Sequence, residues 1–171
     1  LDLKSIIREI QDFPREGINY KDVSTLLLNG PAYRQAIQEL AAQCMHKHAD
    51  LIVCPKARGL MIGAPLAYIL GTGLLTLSMP SQPEDIFSWH HDPEFGDRPA
   101  QMDRDIIKPE MKVLVVDELM ATGGTVTKTV RMIEELGAEV VGTVFLIELT
   151  GLGGRVKIQD YDTISLVQYN Y

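Results

Sequence analysis

Cysteine is scarce in this chain of 171 residues: Cys44 and Cys54 are the only two. That is too few for a disulfide framework, and neither sits in a spacing that signals a metal site, so both are expected as buried free thiols. No apolar run reaches the ~20 residues of a membrane-spanning helix, and no signal-peptide pattern opens the chain, so the cytoplasm is the expected compartment and no membrane is expected as a partner. Positive charge is in deficit. Sixteen Lys and Arg face 23 Asp and Glu, for a net charge of -7, which argues against nucleic acid as a partner. It does not exclude local anion binding by backbone N–H groups at a helix N-terminus. One deficit is local: no Lys or Arg occurs between Arg58 and Arg98. Repeats and low-complexity tracts are missing too. What remains is 46% hydrophobic and 23% charged, the make-up of one globular domain over residues 1–171.

Strand and helix patterns alternate through most of the chain. Leu3, Ile6, Ile7 and Ile10 have helical spacing, with Pro14 beyond them. Pro31 suits a first helical position, and Ile37, Leu40, Ala41, Cys44 and Met45 form an apolar stripe after it. Leu51–Val53, Leu74–Leu77, Lys112–Val116 and Val140–Ile147 read as strands, with Thr163–Tyr169 as a late addition. Leu60–Leu70 reads as a largely buried helix closed by Gly71. Val126, Val130 and Ile133 mark another, closed by Gly137. Lys112–Val116 is apolar on both faces, as a central parallel strand is. The implied fold class is α/β, a mostly parallel sheet flanked by helices. The order breaks between Met79 and Met111, where five prolines fall (80, 83, 93, 99 and 109). A loop this long in a compact domain is read as a lid over the carboxyl ends of the strands. His90 and His91 within it read as solvated, and Tyr161, Tyr169 and Tyr171 read as a packing or subunit-contact cluster.

The pattern that carries chemistry is Val113-Leu114-Val115-Val116-Asp117-Glu118-Leu119-Met120-Ala121-Thr122-Gly123-Gly124-Thr125. A buried strand leads into two carboxylates, a turn with paired glycines, and a helix. A glycine pair alone marks an ordinary turn. In this order it brings backbone N–H groups to the carboxyl edge of the sheet, where open α/β folds bind ligands. The turn suits a phosphate monoester. The two acids would repel that phosphate and must face another part of the ligand. Carboxylates accept hydrogen bonds from vicinal hydroxyls, so a sugar phosphate satisfies both halves. No Lys follows the glycines, so this is not a Walker A loop. Gly151-Leu152-Gly153-Gly154 is not a dinucleotide fingerprint, because no helix of the right kind is expected after it.

At this point the chain resembles the type I phosphoribosyltransferases, and within them the adenine-using branch. Asp12-Phe13-Pro14-Arg15-Glu16-Gly17-Ile18-Asn19-Tyr20-Lys21-Asp22 is similar to that branch's Asp-Phe-Pro-x-x-Gly-x-x-Phe-Arg-Asp opening. Ala57-Arg58-Gly59, Glu94-Phe95-Gly96, Ile147-Glu148-Leu149-Thr150 and Val167-Gln168-Tyr169 follow in the family's order. The resemblance implies a type I phosphoribosyltransferase fold with a hood and base-binding segment over 1–30 and a mobile lid region over 78–111. It implies a reaction in which adenine displaces pyrophosphate from 5-phosphoribosyl 1-pyrophosphate to give AMP, with Mg²⁺ carried by the substrate and no metal site of the protein's own. By the same resemblance Ala121, Thr122, Gly123, Gly124 and Thr125 hold the 5′-phosphate and Asp117 and Glu118 meet the ribose hydroxyls. Arg58, with Lys56 beside it, approaches the pyrophosphate. Glu94 is the acid/base at the purine, and Phe13 with the Ile18-to-Lys21 strand, Lys21 included, shapes the base pocket. A homodimer is implied as well.

The chain departs from the family in the lid. Where the family has a loop rich in Arg and Lys, this chain has Ser78-Met79-Pro80-Ser81-Gln82-Pro83-Glu84-Asp85. Glu118 stands for a second Asp, Lys21 for Arg, Phe95 for Tyr, and Lys56 for an acid. Two functional classes follow. One is an adenine phosphoribosyltransferase. The alternative is a catalytically weak or inactive homologue that binds a nucleotide or sugar phosphate as a regulatory or partner-binding module.

Overall fold

The computed structural model describes residues 1–77 and 106–170. The expected site residue Glu94, the histidine pair His90 and His91, and most of the expected lid therefore lie outside the described residues.

Strands β3 (Leu51–Cys54), β4 (Gly73–Thr76), β5 (Lys112–Met120), β6 (Glu139–Leu149) and β7 (Thr163–Tyr169) form one sheet in the order β4-β3-β5-β6-β7, and every pairing is parallel. Parallel neighbours need crossovers, and helices supply several of them. Helix α4 (Leu60–Leu70) links β3 to β4, and α5 (Gly124–Glu135) links β5 to β6. α3 (Gly30–Cys44) and α4 pack on one face of the sheet around Ile52, Leu114, Val116 and Leu146. α5 packs on the other, with Val126, Val130 and Ile133 against Val113, Val115 and Phe145. Both faces of β5 are therefore covered, which is why its residues read as a continuous apolar run.

Helix α3 begins where Asn29 caps it, its side chain accepting from the Ala32 N–H at 3.1 Å, with Pro31 in the first turn. Ile37, Leu40, Ala41 and Cys44 are buried as the stripe predicts, but Met45 falls in the following 3-10 turn, Met45–Lys47, and is exposed. α4 ends at Gly71, which takes the left-handed conformation (φ 67°). It is less buried than its composition suggests. Ile62, Gly63, Leu66 and Ala67 are covered, while Tyr68 and Ile69 face outward. Both thiols are buried, and burial pushes Cys44 up to about 11 and Cys54 up to about 12.

The opening segment differs from expectation. The helix over Leu3–Ile10 stops after one turn, α1 (Leu3–Ile6). Arg8–Ile10 becomes β1 and pairs antiparallel with β2 (Tyr20–Asp22). Local spacing lost to tertiary partners here. The Arg8 N–H donates to Thr25 Oγ1 at 3.1 Å, and the Arg8 guanidinium pairs with Asp22. Helix α2 (Ser24–Leu28) follows directly, and Leu26 anchors it in the core. The tyrosines do not form one cluster. Tyr161 packs on the α5 side and donates to Glu134, whereas Tyr169 packs on the α3 side; Tyr171 is outside the described residues.

Candidate functional site

The strand order places β3 and β5 side by side although β4 comes between them in sequence. This is the switch point of an open parallel sheet, and a crevice opens there at the carboxyl ends. Pairing of β3 with β5 stops at Val53 and Val115, while β5 continues to Met120 against β6. The acids Asp117 and Glu118 thus lie within the strand rather than past its end, on the stretch whose other edge has lost its strand partner. The 3-10 turn Ala57–Gly59 fills that edge. Its approach is close: a Cβ on Gly59 would lie 2.9 Å from the Val116 carbonyl oxygen.

Beyond Met120 the turn closes on Gly123, whose φ of 79° is the left-handed region that favours glycine. Helix α5 starts there with no side-chain cap and no acid in its first turn. Its first N–H groups are left for an anion, and the helix dipole favours one. The turn borders a cavity of ≈ 210 Å³ whose lining includes Lys56, Asp117, Ala121, Thr122, Gly124 and Thr125. Behind the turn stands Gly154, first residue of the short α6 (Gly154–Lys157). A Cβ on Gly154 would lie 2.4 Å from the Ala121 carbonyl oxygen, and one on Gly123 would lie 2.8 Å from the Gly154 carbonyl oxygen. Gly154 is therefore a buttress of the turn. Sequence reasoning set it aside after rejecting a dinucleotide fingerprint, and nothing local in the sequence signals a contact across 30 residues.

Asp117 and Glu118 are 8% and 5% exposed. Burial raises both carboxyls above their ordinary range, offset for Glu118 mainly by Arg58 and for Asp117 by the Glu118 N–H bond and the charges of Lys56 and Arg58. Their surroundings differ. Asp117 Oδ1 accepts from the Glu118 N–H at 2.8 Å and the side chain borders the cavity. Glu118 takes the Arg58 guanidinium on both oxygens, at 2.8 and 3.2 Å. Arg58 Nη2 also donates to the Tyr20 hydroxyl at 2.8 Å. That bond, ahead of the Glu118 charge, holds Arg58 protonated above the usual arginine value. Tyr20 in turn meets Phe13 edge to face, centroids 5.5 Å apart. Phe13 is half exposed beside the loop where Asp12 accepts from the Gly17 N–H.

The structure thus gathers Asp117, Lys56 and Ala121–Thr125 around one cavity, and links Glu118, Arg58 and Phe13 through Tyr20. Lys21 takes the other face of β2. It is buried, pairs with Glu9 and lies 4.3 Å from the Tyr169 ring centroid. Tyr20 was expected only as part of the Ile18-to-Lys21 base-pocket strand, and its contact with Arg58 was missed. The available signal was its place in the opening pattern, where the resembled motif has Phe and this chain adds a hydroxyl.

Comparison with known proteins agrees with this geometry. The model of the phosphoribosyl transferase domain matches residues 24–169. An adenine phosphoribosyltransferase of Pelotomaculum thermopropionicum is 68% identical over 172 residues, covering all of both chains. The chain belongs to the adenine phosphoribosyltransferases. A relative from Clostridium tetani with that name is 45% identical over 99% of each chain. The crystal structure of adenine phosphoribosyltransferase from Thermoanaerobacter pseudethanolicus superposes with a TM-score of 0.81 at 34% identity, covering 98% of both chains. The match runs along the whole chain. The expected type I fold, with its parallel sheet flanked by helices, is the fold observed.

Proposed function

We propose that this chain transfers the 5-phosphoribosyl group of phosphoribosyl pyrophosphate to adenine, releasing pyrophosphate and AMP, as a purine-salvage pentosyltransferase. The observation that carries the reading is the turn Ala121–Thr125: an uncapped helix start over a cavity, with a buried acid on the same wall. In this reading the turn holds the 5′-phosphate through its amides. Asp117 and Glu118 receive the ribose hydroxyls. Their burial makes them unfavourable as bare anions, and a ligand that donates two hydrogen bonds relieves that cost. Arg58 and Lys56 face the pyrophosphate, whose negative charge grows as the C–O bond breaks. Phe13 shapes the base pocket with the β2 segment that carries Lys21, and Glu94 holds the proton at the purine.

Among the described residues no group of three His, Cys, Asp or Glu converges to hold a metal. Mg²⁺ in our reading arrives with phosphoribosyl pyrophosphate. The small-molecule partners are that substrate, adenine and AMP. A homodimer is the proposed assembly, supported by the outward Tyr68 and Ile69 of α4 and the half-exposed Leu74 of β4. Among the described residues no helix is long and apolar enough to cross a membrane, and the cytoplasm is the proposed compartment.

The test is direct. Incubation with phosphoribosyl pyrophosphate, Mg²⁺ and adenine should yield AMP, and hypoxanthine or guanine should react far more slowly. An absence of AMP, with thermal stabilisation by AMP retained, would overturn the enzyme reading in favour of a nucleotide-binding module.

A further inference from the structure

Three chain segments meet at the Arg58 guanidinium. Arg58 itself stands in the turn after β3, Glu118 comes from β5, and Tyr20 comes from the β1–β2 hairpin, which belongs to neither strand's sheet. Glu118 and Tyr20 are not equivalent partners. Glu118 is buried and, on the reading above, turns to the sugar hydroxyls when substrate enters. Its carboxylate oxygens cannot serve Arg58 and the ribose equally well. The Tyr20 hydroxyl accepts from Arg58 Nη2 at 2.8 Å, and the reading above assigns it to no ligand group. Arg58 is otherwise mobile in principle, with 58% of its side chain exposed, and a free arginine loses much rotamer entropy when it binds. On its other side Tyr20 holds the edge-to-face contact with Phe13.

We infer that Tyr20 is a positioning residue: its hydroxyl keeps Arg58 aimed at the pyrophosphate once Glu118 is engaged by the ribose, and its ring ties that arginine to the purine side of the site. The inference rests on the phosphoribosyl-transfer reading and deepens it.

Tyr20→Phe keeps the ring and removes only the hydroxyl. With each substrate varied in turn on the full chain, the KM for phosphoribosyl pyrophosphate should rise about fivefold, the scale of one ordinary hydrogen bond lost at one remove from the ligand. The KM for adenine and kcat should stay within about twofold of wild type, as should affinity for AMP, which carries no pyrophosphate. Tyr20→Leu, which also removes the ring, should raise both KM values. An unchanged KM for phosphoribosyl pyrophosphate in Tyr20→Phe overturns the inference. So does an equal rise in both KM values with a lower melting temperature, since that marks Tyr20 as mere support for the hairpin. Wild type runs alongside. If it makes no AMP, the transfer reading has failed, and calorimetry with magnesium pyrophosphate then decides: weaker binding by Tyr20→Phe supports the positioning role, and equal binding rejects it.

Discussion

The two ends of the site are made of different material. At the proposed phosphate end the groups on offer are backbone amides, shaped by Gly123 and pressed from behind by Gly154. At the proposed pyrophosphate and base end they are side chains from three elements, with Glu118 and Tyr20 both already paired to Arg58. A backbone cradle needs no reorganisation when its anion arrives, so its binding energy is available at once. The paired end must exchange partners before it can act. That makes it the natural place to separate substrates that carry a pyrophosphate from products that do not.

The sharpest way to break this contrast is Gly154→Ala. The residue touches no ligand in our reading, yet its Cβ would sit 2.4 Å from the Ala121 carbonyl oxygen. AMP affinity should fall by about 100-fold or more, the scale of a displaced anion cradle, and calorimetry with AMP measures it. Gly123→Ala should do the same, now for a double cause: the positive φ and the Gly154 backbone behind it. Retained affinity in both variants would show that the turn tolerates displacement.

Arg58→Ala acts on the other end only. The KM for phosphoribosyl pyrophosphate should rise about tenfold, from the loss of a charged hydrogen-bonding group, while the Kd for AMP moves by less than about threefold. Comparable losses for both ligands would erase the distinction between the ends.

A smaller effect concerns the hairpin that delivers Tyr20. Asp22 is held down at about 2 by Ser24 and Arg8. A carboxyl depressed in the folded state adds stability above its unfolded value near 3.8, and that stability is lost as pH falls from there towards 2. Between pH 5 and pH 3 the wild type should lose up to about 1 kcal/mol more than Asp22→Asn, with solvent screening at the exposed Arg8 reducing it. Urea midpoints at the two pH values would show it, and parallel losses would remove Asp22 as the cause.

Smallest is the effect of Asp117→Asn. Burial raises this carboxyl, so the sign reverses. Protons are held more tightly in the folded state, and stability falls as pH rises through the folded value. At pH 7 the amide should melt higher than the acid, and the gain should vanish below pH 4. The Glu118 N–H keeps an oxygen to bond, while transfer activity drops. A lower melting temperature at pH 7 would mean the charge is paid for within the protein.

The sequence by itself determined the parallel α/β sheet, the turn after β5 and the family. These are properties of contiguous residues: a doubly apolar strand, two acids and a glycine pair followed by helical spacing can be read in one pass. The acids at 117 and 118 and the glycines at 123 and 124 stand in that one run, whereas Arg58 was singled out only by the family resemblance. Tertiary structure alone decided what crosses the chain. It cut the opening helix at Ile6, because Asp22 and Thr25 offered Arg8 better partners than another helical turn did. It set Gly154 behind Ala121, split Tyr161 from Tyr169 across the sheet, and joined Tyr20 to Arg58. Each of these is a contact between segments far apart in sequence, and periodicity carries no information about which distant surface a side chain will meet.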